Sequence, residues 1–358
     1  MAEPTALTAA LIRSVPKVLL HDHLDGGLRP QTIVELADEV GYRALPTSDP
    51  AELGRWFRES AHSGSLERYL LTFAHTVAVM QRPEAVQRVA RECALDLAAD
   101  GVVYAEVRMA PELLTAMSLD AAVEAMLDGY AQGSREAAAA GRPIVVGTLL
   151  CAMRQTDRWV EVAEAVVRHR DAGVVGFDLA GPEDGFPPDR IPEAIAVLDR
   201  AGAHRTVHAG EGAGIDSIRA ALDGAGAERL GHGVRIADEV PVDGALGELA
   251  KRVLDERVPL EVAPLSNVQT GAYPSLADHP VDRLHRLGFA VTVNTDNRLM
   301  SGVSATSELA DVTATFGWDW DDVQTVTERA LTGAFADPDV RARLLADVVR
   351  PGYDALRS

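Results

Sequence analysis

Short runs rich in Val, Ile and Leu recur along the chain, separated by longer segments whose apolar positions repeat at helical spacing. The runs predict eight strands, at 18–23, 102–107, 144–149, 174–179, 206–209, 230–233, 260–263 and 291–294. Between them, 84–99, 119–140 and 157–172 read as amphipathic helices. A further helix has Asp216 placed to cap its start and Gly224 just past its last apolar position, Leu222. β-Rich runs alternating with helices predict a parallel sheet covered on both faces, and eight such units match a (β/α)8 TIM barrel of the α/β class. An open doubly wound sheet is the rival; it is disfavoured because no GxGxxG or GxxxxGK[ST] follows any run. No repeat, low-complexity tract or long linker divides the chain, so residues 1–358 read as one barrel domain. The segment 32–81 exceeds an ordinary crossover and reads as a helical lid insertion after the first strand.

Polar residues gather where four of these strands end. The first ends His21-Asp22-His23, the fifth His208-Ala209-Gly210-Glu211, the sixth Gly231-His232-Gly233 and the eighth Asn294-Thr295-Asp296-Asn297. In a parallel barrel the C-terminal strand ends open at one mouth, so one fold would bring all four together. His21 and His23 are two apart and share a strand face, with Asp22 turned away. Two imidazoles so placed are a ready pair of metal ligands, with His208 and Asp296 as third and fourth. Three nitrogens and one carboxylate suit zinc, or less selectively iron, cobalt or nickel. An HxH alone is more often a satisfied core pair; four polar clusters at four strand ends are what packing does not require.

Composition narrows the partners. Lys and Arg total 34 against 54 Asp and Glu, a formal net charge of -20. That balance argues against nucleic acid, where affinity comes from neutralising phosphates, and against anionic membranes. The longest apolar run, 144–153, is about half of the ~20 residues a membrane helix needs. Cys93 and Cys151 are far apart and in no metal-like spacing. With Glu3 and Arg13 interrupting the first apolar stretch, nothing there reads as a secretory leader, and the expected location is the cytoplasm.

The motifs HDHLDG at 21–26, FDLAG at 177–181, VHAGE at 207–211, RLGHG at 229–233, PLSN at 264–267 and VNTDN at 293–297 together resemble the adenosine deaminase family of metal-dependent barrel hydrolases. They run in family order from about Pro16 to Ser301. The resemblance implies one zinc ion per chain on His21, His23, His208 and Asp296, and a small purine nucleoside as substrate. It implies that Glu211 shuttles the proton to purine nitrogen one, while His232 orients and stabilises the hydroxide attacking carbon six. Gly181 would offer its backbone N–H to nitrogen three, and Asp25 would meet the ribose 5′-hydroxyl. In the insertion, Leu66, Tyr69, Leu70 and Phe73 fall on one helical face, which in the family covers the sugar; an ordinary core-facing helix fits the periodicity equally well.

Two positions depart from the family pattern. Asn297 stands where a second Asp usually contacts purine nitrogen seven; its amide can donate without first being protonated. Pro182 follows Gly181 where an acidic residue is common. Rival substrates are adenine, a nucleotide, or a larger adenosine-bearing metabolite such as aminodeoxyfutalosine. Asp25 disfavours a 5′-phosphate by repulsion. A two-metal amidohydrolase would need a bridging lysine at the fourth strand end, and the only lysines are Lys17 and Lys251. A cytidine-deaminase-type site would need a PCxxC element, which is missing. A non-catalytic metal-binding barrel would be expected to lack Glu211 or a metal ligand, and none is missing.

Overall fold

The computed structural model describes residues 7–357; the start of the N-terminal stretch, with Glu3, lies outside them. Its strands are β1 (Lys17–His23), β2 (Val102–Met109), β3 (Val145–Met153), β4 (Val174–Ala180), β5 (Thr206–Ala209), β6 (Arg229–His232), β7 (Leu260–Val262) and β8 (Val291–Val293). The first four pair in parallel in chain order, and so do the last four. Parallel bridges at Phe177↔Arg205 and Asp22↔Asp296 join the two halves at both seams. The second seam is tight: His23 N–H donates to the Asp296 carbonyl at 2.7 Å, and Asp296 N–H to the His21 carbonyl at 2.9 Å. Every strand runs the same way with helices between, the α/β arrangement of a (β/α)8 barrel. Among the described residues, no helix is long and apolar enough to cross a membrane.

Most strands begin and end within one or two residues of their predicted bounds. β3 instead runs to Met153: Leu150-Cys151-Ala152 has no β-branched residue to mark it as strand, yet all three are buried and pair with β4, Leu150 with β2 as well. The helix Ile215–Asp223 starts one residue before the expected cap. Asp216 therefore lies inside its first turn, where a carboxylate favours the helix dipole, and makes no cap. The segment after β1 forms four helices, Pro30–Val40, Pro50–Ala61, Leu66–Leu70 and Phe73–Val79. The single helix expected across 66–73 is interrupted at Leu71–Thr72, where the Thr72 hydroxyl donates to the Tyr69 carbonyl at 2.7 Å, yet Leu66, Tyr69, Leu70 and Phe73 still face one cavity.

The barrel interior is charged as well as apolar. Arg229 pairs with Glu106 at 2.5 Å and Glu261 at 2.7 Å; Arg108 pairs with Glu261 at 2.7 Å and Asp178 at 3.2 Å. All five are buried, a state ions tolerate only when each finds a partner. This chain of ion pairs ends directly beneath the histidines at the mouth.

Candidate active site

His21, His208, His232 and Asp296 bring one donor atom each to within 4.8 Å of one another. His23 joins from the other side: its Nε2 lies 3.3 Å from both His208 Nε2 and Asp296 Oδ1. His21 Nε2 is also 3.3 Å from Asp296 Oδ1, but it makes no hydrogen bond and is a buried nitrogen without a partner. An orphaned imidazole nitrogen inside a ring of nitrogens and a carboxylate is the donor set a divalent zinc-type metal requires.

The local fold explains how the donors converge. Strand alternation turns His21 and His23 inward and Asp22 outward, where its Oδ2 accepts from Thr295 Oγ1 at 2.7 Å and Arg298 Nε at 2.8 Å. Asp22 thus grips the two residues flanking Asp296 and Asn297. His232 and Asp296 both have positive φ, 60° and 53°, a strained conformation for residues with a Cβ and one that concentrates at functional sites. Two imidazoles are oriented from behind by carboxylates: His21 Nδ1 lies 3.0 Å from Glu261 and His208 Nδ1 3.1 Å from Asp178. Burial opposes ionisation of both acids, but Arg108 and their histidine partners outweigh it and hold them well below the usual carboxylate range. Burial likewise works against Asp296, whose contacts with His21 and His23 keep it ionised.

Glu211 lies beside this cluster. Burial pushes its carboxyl above the ordinary value, opposed by the nearby His232 and reinforced by Asp296 and Glu183. Thr270 Oγ1 donates to its Oε1 at 3.0 Å, and His232 Nε2 is 3.4 Å from its Oε2. Its loop is held by Glu183, which accepts the backbone N–H of Gly210 at 2.9 Å, of Glu211 at 2.9 Å and of Gly212 at 3.0 Å, and the Ser217 hydroxyl at 2.6 Å. Sequence reasoning passed over Glu183, one residue beyond the noted Pro182. It also passed over Glu261 as an orienting acid and Asn267 as a contact of His232, which lie 240 and 35 residues from their partners.

A cavity of about 300 Å³ opens over these groups. His23, Asp25, Leu66, Tyr69, Leu70, Phe73, Gly181, His208, Glu211, His232, Asp296 and Asn297 all line it, with His21 buried outside the lining. None of the described residues lining it is Lys or Arg. Burial lifts the Asp25 carboxyl to about 7, and its Oδ1 has no partner. Gly181 has φ of 101°, and a Cβ there would lie 2.6 Å from Gln155 Oε1, so backbone rather than side chain faces the cavity. Asn297 is buried, its Oδ1 unpartnered, and packs so closely on Gly26 that a Cβ there would lie 1.9 Å away.

A parallel barrel whose strand ends converge four imidazoles and a carboxylate, with a protonatable acid alongside, defines a metal-dependent hydrolase. The chain belongs to the adenosine deaminase family, whose profile matches residues 16–351. It is 54% identical over 351 residues to the adenosine deaminase of Mycobacteroides abscessus, covering 96% of this chain and 97% of that one. Among solved structures it is similar to an amidohydrolase from Burkhoderia ambifaria with bound Zn (TM-score 0.84, 26% identity, 99% of this chain and 95% of that chain). It is also similar to the adenine deaminase of Arthrobacter aurescens (TM-score 0.83, 26% identity, 96% of this chain and all of that one).

Proposed function

We propose that this protein hydrolytically deaminates adenosine and deoxyadenosine to the corresponding inosines and ammonia, a step of purine salvage. It would do so with one zinc ion per chain on His21, His23, His208 and Asp296. The observation that carries this reading is Glu211: a buried acid with a raised pKa, facing the same cavity as the histidine–aspartate cluster. When bound, zinc supplies a water whose pKa is lowered toward neutrality.

The chain's own residues do the rest. The protonated Glu211 carboxyl gives ring nitrogen one a proton, which lets carbon six accept the attacking oxygen. Thr270 holds Oε1 of that carboxyl, fixing its rotamer for the transfer. His232 donates toward the attacking oxygen, and the Gly181 N–H and the Asn297 amide hold nitrogens three and seven. Asp25 receives the 5′-hydroxyl. A 5′-phosphate would meet Asp25 and no cation, which supports a nucleoside over a nucleotide. Leu66, Tyr69, Leu70 and Phe73 form the apolar lid over the sugar. Two buried cysteines in no disulfide support a cytoplasmic location.

The test is a panel of adenosine, deoxyadenosine, adenine, AMP, methylthioadenosine and aminodeoxyfutalosine, followed by absorbance. The two nucleosides are expected to give the highest kcat/KM and AMP no turnover. Preference for adenine or for AMP would overturn the reading.

A further inference from the structure

His21 and His208 are wired as ligands. Each turns Nδ1 to a carboxylate that can only accept, so each keeps its ring proton on Nδ1 and leaves the Nε2 lone pair free. His232 is wired the other way, by a relay that begins at a backbone amide. The Val281 N–H can only donate, and it reaches His279 Nδ1 at 3.1 Å. Neutral His279 therefore carries its proton on Nε2, 3.2 Å from Asn267 Oδ1. With its oxygen so engaged, Asn267 presents Nδ2 to His232 Nδ1 at 3.0 Å. An amide nitrogen donates and does not accept, so His232 Nδ1 accepts and its proton resides on Nε2, on the side of Glu211. His279 is buried, and burial above all pushes its pKa down to about 3. The ring is thus neutral in ordinary solution, as the relay needs.

We infer that His279 and Asn267 are positioning residues that fix His232 as the Nε2–H tautomer. The same wiring makes it a hydrogen-bond donor beside Glu211 and keeps it out of the metal's ligand set. This distinction matters because distance does not make it: the His232 donor atom lies within the same 4.8 Å group as those of His21, His208 and Asp296. Were Asn267 to turn over, its oxygen would face His232 Nδ1, the ring proton would move there, and a bare Nε2 would point into the cluster as a competing ligand. The relay thus assigns different work to chemically identical rings, by a choice made at Val281. Its catalytic consequence rests on the deaminase reading; the tautomer itself does not.

The experiment is nitrogen-15 NMR of histidine-labelled protein, metal-free and zinc-loaded, which distinguishes protonated from bare ring nitrogens. In the wild type, His232 is expected to show a proton on Nε2 and a bare Nδ1, opposite to His21 and His208; a proton on Nδ1 would overturn the inference. His279→Leu removes the donor to Asn267. It is expected to populate the other tautomer and lower kcat for adenosine on the order of 10–100-fold with KM little changed. His279→Gln, whose amide can still donate, is expected to keep both near wild type. An unchanged tautomer and kcat in folded His279→Leu would contradict the relay. Should that variant fail to fold, Asn267→Asp decides: its carboxylate only accepts, so the His232 proton must move to Nδ1. Failure of the wild type to deaminate adenosine would instead count against the proposed function and leave the tautomer result standing.

Discussion

Replacing Glu183 by Gln changes one oxygen of a buried carboxylate outside the cavity lining, and is expected to slow the reaction. The carboxylate accepts four hydrogen bonds: Oε1 from the Glu211 and Gly212 amides, Oε2 from the Gly210 amide and the Ser217 hydroxyl. Burial would raise its pKa, but the Ser217 bond, the charge of Arg154 and the backbone donors win and hold it below the usual range. A Gln has one acceptor oxygen. In its better orientation that oxygen keeps the Glu211 and Gly212 amides, Ser217 can turn to accept, and the Gly210 N–H is left facing an NH₂ group. One stranded buried donor costs ~1–3 kcal/mol, and the surviving bonds lose their charge assistance, so the total is about 2–4 kcal/mol. The loop can relieve that cost by shifting, and the loop carries Glu211. A displacement of about 1 Å from productive geometry costs on the order of 10²-fold in rate. Steady-state kinetics on adenosine and thermal unfolding of the same preparation read both effects. Glu183→Gln is expected to lower kcat by about 10–100-fold and the melting point by several degrees. Wild-type values for both would refute the claim that Glu183 holds the loop.

Burial pushes the Glu308 carboxyl up to about 8 from an ordinary 4.5, with Oε1 accepting the Leu265 N–H at 2.7 Å and Oε2 unpartnered. Because the folded state holds a proton that the unfolded state has lost, stability should fall by up to about 1.4 kcal/mol per pH unit between these values and level off above. Glu308→Gln, a mimic of the protonated acid, should flatten that slope and exceed wild-type stability above pH ~8; an unchanged slope in pH-dependent denaturation would sink the assignment. Asp22→Asn leaves the half-buried Arg298 without its carboxylate and should weaken zinc retention on the order of 10–100-fold, measured by competition with a chromophoric chelator. Arg298→Gln added to it should make matters no worse, whereas multiplying losses would show that the two do not act as a pair.

The barrel was legible because β-branched runs and helical periodicity are local signals. It blurred where the locality failed, as in β3, whose Leu150-Cys151-Ala152 segment is held as strand by pairing with β4. The residues facing the cavity were legible for a related reason: strand ends in one fold share one mouth, so chemistry-bearing residue types at those ends declare themselves. The residues behind them did not. Glu261 lies on β7 among apolar neighbours, and nothing in its surroundings says that it orients His21 across the barrel. His279 sits before a proline in a loop, and its bond to Asn267 exists only because the chain after β7 folds back on itself. Asp22 was rightly expected to point away from the histidines, but Arg298, its partner, lies beyond the far seam of the barrel.

Deamination of adenosine by this protein would need both a metal held by His21, His23, His208 and Asp296 and a proton carried by Glu211. Its most direct test is inosine formation by wild type and Glu211→Gln, with zinc counted in both. The expected result is one zinc per chain in each, turnover in the wild type, and nearly none in the variant. Undiminished turnover by a zinc-loaded Glu211→Gln enzyme, or two zinc ions per wild-type chain, would contradict it.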